Sequence, residues 1–213
     1  MTIRTLTRRT ALVAATGLAS VVLAACGGGS GSGDSGAHGG HGTSASPSGS
    51  AGATTHNAQD VTFAQGMIPH HQQALEMARL ASGRAASAQV KDLASRIEKA
   101  QDPEIRTMTG WLKSWGEQVP MAGMDHAGHG GMSGMSGMMS DTDMAALKKA
   151  TGKDFDTKFL SLMVEHHQGA VEMATTEKNK GDYGPAKGMA DGIVSAQNAE
   201  IKQMKQLLGK NGS

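Results

Sequence analysis

The chain has a single cysteine, Cys26, in 213 residues, so it can form neither an intramolecular disulfide nor a thiolate metal cage. Aromatic residues are nearly as scarce, with three Phe, two Trp and one Tyr. A core must then come from Ala, Leu, Ile, Val and Met, which suits packed helices. Runs of β-branched residues and strict apolar–polar alternation do not occur, which removes the signals of strands. The apolar stretch Thr10–Leu23 is too short for a permanent membrane span. Charge is balanced, at a formal +1, and no basic stripe supports nucleic-acid binding. With no nucleophile–base pair, phosphate loop or cofactor fingerprint, the chain is expected not to be an enzyme.

The N-terminus reads as an export signal. Arg4, Arg8 and Arg9 precede the apolar stretch, which ends in Leu23-Ala24-Ala25-Cys26 followed by three glycines. That order looks like a bacterial lipobox, with Cys26 lipidated after residues 1–25 are removed. The expected location is the outer face of the cytoplasmic membrane, held by a lipid anchor. Arg8-Arg9 leaves Sec and twin-arginine export both open. Losing three arginines takes the charge from +1 to −2. Residues 26–58 are mostly Gly, Ser, Ala and Thr and read as a flexible tether. His38 and His41 within it read as solvated tether residues.

What is present in abundance is methionine, 15 residues, four of them in a motif spelled twice. Phe63-x-x-x-Met67-x-x-His70-His71-Gln72-x-Ala74-x-Glu76-Met77-Ala78 recurs 96 residues later, from Phe159 to Ala174. Residues 60–81 and 156–177 share 10 of 22 identities, and 87–112 and 183–208 share 9 of 26 at the same offset. Agreement this dense, without a gap, marks an internal duplication.

Each copy reads as two helices. With about 100° per residue, Met67, His70, Ala74, Met77 and Ala81 fall within roughly 40° of Phe63. In the second segment Ala94, Ile97, Gln101, Ile105, Met108 and Leu112 step by three and four, the spacing of one buried face. Asp60 and Asp156 are expected N-caps. Ser82-Gly83-Arg84 and Gly181–Pro185 are expected to break the two pairs, with Pro185 at a helix start. A short helix over 141–150 should open on the Ser140/Asp143 capping box and stop at Gly152. Pro69 should either kink the first helix or shift its start to near Ile68. One hairpin leaves its apolar stripe wet, so the spacing predicts an all-α four-helix bundle of two hairpins. Its domain covers 59–209, as hairpin 60–118, a flexible Met/His-rich loop 119–140 and hairpin 141–209.

Met at i with His at i+3 and i+4 places a thioether and two imidazoles on one turn. The candidate metal ligands are Met67, His70, His71, Met77 and Met108, with Met163, His166, His167, Met173 and Met204 in the second copy. Gln101, Glu104, Gln197 and Glu200 are candidates to hydrogen-bond the ligating imidazoles. The loop adds Met121, Met124, His126, His129, Met132 and Met135 in a Gly/Ser setting where methionine has no packing role. Thioether favours Cu(I) and imidazole accepts either copper state, so the expected cargo is copper, Cu(I) before Cu(II). Two other readings stay open: methionine as core filler, and the loop as an oxidant sink.

The residues Met67–Ala78 with Gln101–Met108, and Met163–Ala174 with Gln197–Met204, resemble the bacterial family called domain of unknown function 305. The resemblance implies a ferritin-like four-helix bundle and, through some exported members, copper binding and resistance. The function expected is extracytoplasmic sequestration or transfer of copper, with copper-exchanging proteins as partners. The alternatives are a ferritin-like di-iron redox enzyme, which would want Glu-x-x-His pairs that this chain lacks, and a metal-free scaffold bundle.

Overall fold

The computed structural model describes residues 55–120 and 135–211. Those residues form five helices: α1 (Ala58–Arg84), α2 (Ala88–Trp115), α3 (Asp141–Lys149), α4 (Gly152–Lys180) and α5 (Gly184–Asn211). Helices α1 with α2, and α4 with α5, are the two hairpins. They join along α1 and α4, and α3 lies against both. No helix among the described residues is long and apolar enough to cross a membrane.

Local chemistry fixes most helix ends. Asn57 caps α1 by accepting from the backbone N–H of Gln59 and Asp60, and Asp60 closes the capping box. Asp60 is therefore not the N-cap, and Asp156 lies inside α4, which starts behind Thr151. Ser82-Gly83-Arg84 does not end the first helix either. It forms the last turn of α1, where one glycine is tolerated, and the break falls at 85–87. Gly116, at φ 75°, ends α2, with the Glu117 N–H donating to the Leu112 carbonyl at 2.8 Å. The Ser140/Asp143 box opens α3 as its sequence predicts. α1 runs unbroken through buried Pro69, so the later start near Ile68 is not adopted.

Asp60 and Asp156 serve a longer-range purpose. The Asp156 carboxylate accepts from the N–H groups of Ala86 and Ser87, in the turn of the first hairpin, at 3.1 and 2.9 Å. Asp60 accepts from Asp182 and Tyr183, in the turn of the second, at 3.2 and 3.0 Å. Those turn residues are the copies of Ala86 and Ser87. Each hairpin thus satisfies the other's exposed turn donors.

The same exchange organises the core. Phe63, Met67, Met108 and Leu112 of the first hairpin pack with Ala170, Ala174, Ala190 and Ile193 of the second. Their copies, Phe159, Met163 and Met204, pack with Ala74, Ala78, Ala94 and Ile97 in a separate cluster. Large side chains of one hairpin fill the alanine surface of the other, and each fully buried one contributes about 1.5–3 kcal/mol.

Candidate metal centre

The motif histidines form a polar layer that belongs to neither apolar cluster. His70, His71, His166 and His167 are all fully buried. His70 on α1 and His166 on α4 meet face to face, with ring centroids 3.8 Å apart and planes tilted by 39°. None of their four ring nitrogens has a hydrogen-bond partner. Burial pushes the His70 pKa down to about 3, helped by the neighbouring His71 and His167. His166 lies well below the ordinary histidine value, through burial first and then the nearby His70, His167 and His71. Both rings are therefore neutral, with lone pairs free to bind a metal.

The outer histidines are anchored alike in both copies. His71 Nε2 lies 2.7 Å from Glu104 Oε2, and His167 Nε2 lies 2.7 Å from Glu200 Oε2. Each contact ties a motif helix to its hairpin partner and leaves Nδ1 without a partner. Gln101 and Gln197 are buried in the same region, but their Oε1 atoms accept no hydrogen bond.

Among the methionines, Met67, Met77, Met108, Met163 and Met204 are fully buried. Met67 and Met163 stand one turn before His70 and His166 on the same helices. Met173 is only partly buried, unlike its copy Met77. Its sulfur and that of Met135 each lie 3.7 Å from where a Cβ on Gly66 would stand, so the end of the loop segment meets α4 over α1. Cys26, His38, His41, Met121, Met124, His126, His129 and Met132 lie outside the described residues. Among the described residues no three His, Cys, Asp or Glu side chains converge on one point. The orphaned imidazole nitrogens and buried thioethers are the donor types that suit a soft metal ion.

Three features escape the sequence reading. Gln73 holds the backbone of Met139 at both ends, donating to its carbonyl at 3.0 Å and accepting from its N–H at 2.8 Å. Gly169, the copy of Gln73, lies directly under Ser136. Glu177, the copy of Ala81, is buried beside Asp60 with neither oxygen accepting a hydrogen bond. Burial pushes its pKa up to about 8, and the Asp60 carboxylate adds to the rise. Asp60 itself is held low: burial alone would raise it, but the neighbouring Glu177 carboxyl and bonds from the N–H groups of Asn57, Tyr183 and Asp182 outweigh that. Glu177 is the protonated partner of the pair. The signal for all three was available, since each lies at or beside a position where the two copies diverge.

The family model described as domain of unknown function, DUF305, matches residues 60–208. No curated protein sequence matches the chain. A DUF305 protein of Streptomyces coelicolor, described as secreted, is 34% identical, with a TM-score of 0.65 over 73% of this chain and 93% of that one. A DUF305 fragment from Deinococcus radiodurans is 31% identical, with a TM-score of 0.64 over 72% and 97%. CopM in its Cu(II)-bound form is 38% identical, with a TM-score of 0.60 over 71% and 96%. CopM structures with Cu(I) and with Ag bound are similar too. With a match across both hairpins and structures this alike, the chain belongs to the DUF305 family.

Proposed function

We propose that this protein binds copper as cargo outside the cytoplasm, storing it or passing it on by ligand exchange without turning over a substrate. The observation that carries the reading is the His70–His166 pair, four buried ring nitrogens without a partner. An unsatisfied buried polar atom costs about 1–3 kcal/mol, so a fold that keeps several at one point has a use for them. Neutral imidazole with buried thioether selects Cu(I) and tolerates Cu(II). Glu104 and Glu200 are engaged through Oε2 by His71 and His167, which orients those rings. Copper- and silver-bound CopM, of the same fold, supports the choice of metal.

An anaerobic Cu(I) titration against a competing chelator tests this on the chain from residue 26, on the same chain without 121–134, and on a variant with His70, His71, His166 and His167 all changed to Gln. Tight uptake that survives loop removal and is lost in the histidine variant is the expected result. Equal, weak uptake by all three would leave only the scaffold reading. The proposed lipid anchor predicts that Cys26→Ser moves the protein from the membrane fraction to the soluble exported fraction; an unchanged distribution would remove it.

A further inference from the structure

His70 and His166 are sealed, so an ion reaching them must displace something. The two hairpins are pinned to each other by the crossed Asp60 and Asp156 bonds. Among the described residues, the non-helical segment 135–139 lies against α4 beside this layer. Ser136 Oγ donates to Glu172 at 2.5 Å, and Gln73 grips both backbone groups of Met139. Gly137, at φ 78°, lies so close to α4 that a Cβ would stand 2.8 Å from the Glu165 carbonyl oxygen and 2.9 Å from that of His166. A Cβ on Gly169 would stand 2.0 Å from the Ser136 carbonyl oxygen.

Residues 73 and 169 occupy one position of the duplicated motif, and the two copies have diverged in complementary ways. One side grasps the segment with an amide, and the other gives up its side chain so that the backbone can lie down. We infer that 135–139 is a strap gating the passage of a soft metal ion to the His70–His166 pair, with Gln73 as its latch and Gly169 as its seat. This rests on the copper reading given above. A strap tied by side chains and close packing, with no ladder of backbone bonds, is the element that opens at lowest cost.

The test uses the full chain and two readouts. One is the rate at which diethyl pyrocarbonate modifies His70 and His166, which needs no metal. The other is the association rate of Ag(I). Gln73→Ala and Gly169→Ala should each raise both rates tenfold or more, while the exposed control Gln168→Ala leaves them unchanged. Cooperative thermal unfolding of each variant shows that it is folded, and Gln73→Ala carries the test if Gly169→Ala is not. Unchanged histidine modification in a folded variant would overturn the gate, whatever silver does. Faster modification with no silver bound by any form would keep the strap as the cover and overturn the copper reading instead.

Discussion

Set side by side, the two hairpins agree at the polar layer and part company around it. His71–Glu104 and His167–Glu200 close at the same 2.7 Å, each across 33 residues of chain. His70 and His166 are equally buried and equally without partners. Among the positions that differ are Pro69 against Glu165, Gln73 against Gly169, and Ala81 against Glu177. The strap offers one reason, because only one connection joins the hairpins and it can cross only one face. The first copy meets it with a side chain and the second with backbone. Symmetry is thus kept where the imidazoles need it and given up where a single segment has to be accommodated.

The sharpest way to break the comparison is at the crossed carboxylates. Asp156→Ala strands the N–H groups of Ala86 and Ser87 and should cost about 2–4 kcal/mol in denaturant unfolding. Asp60→Ala strands its own set but also relieves Glu177, so its loss should be smaller above pH 8 than at pH 6. A pH-independent difference between the two variants would mean that Glu177 does not feel Asp60.

Next is the layer itself. Leucine at both 70 and 166 removes the orphaned nitrogens and should stabilise the metal-free protein by about 1–2 kcal/mol while abolishing Cu(I) uptake. A loss of stability would give the pair a structural role instead.

Third comes the carboxyl that one copy has and the other lacks. Because the folded protein holds the Glu177 proton up to about pH 8, against an ordinary value of 4.5, its stabilising effect is full below 4.5 and is lost as pH rises through 8. The melting temperature should therefore fall by a few degrees across that window. Glu177→Gln, which cannot ionise at any pH, should flatten the fall, and an unchanged slope would assign it to another group.

The smallest effect concerns the paired glutamates. Glu104→Gln and Glu200→Gln should each cost about 1 kcal/mol. The Glu200 side chain is 15% exposed and that of Glu104 27%, so the Glu200 change should be slightly the more damaging. Chemical denaturation resolves the order.

Much of this was readable from the residues. The 96-residue offset and the three-and-four spacing specify two matched hairpins, and Ala94, Ile97, Gln101, Met108 and Leu112 are buried along the face they define. The inward placement of all four motif histidines follows from the same period. What could not be read depends on contacts across the fold. Asp60 suits a cap by local chemistry, but its task is set by Asp182 and Tyr183, more than 120 residues away. Met77 and Met173 share a motif position, yet Met77 is sealed inside one apolar cluster while Met173 packs, partly buried, against the other. Gln101 and Gln197 sit on the predicted face, while the glutamates three residues later hold the histidines, a choice that depends on the offset between paired helices.

The exchange of turn donors has a consequence for how such a chain arises. A protein carrying one hairpin would own both an aspartate and a matching turn, and could use them only by docking against a twin about a two-fold axis. That is the isologous, self-complementary geometry of a homodimer. Fusing two such genes would leave the interface intact and then free each half to specialise. Hairpins 55–120 and 135–211, expressed separately and mixed, should accordingly reassemble into a one-to-one heterodimer, detectable by native mass.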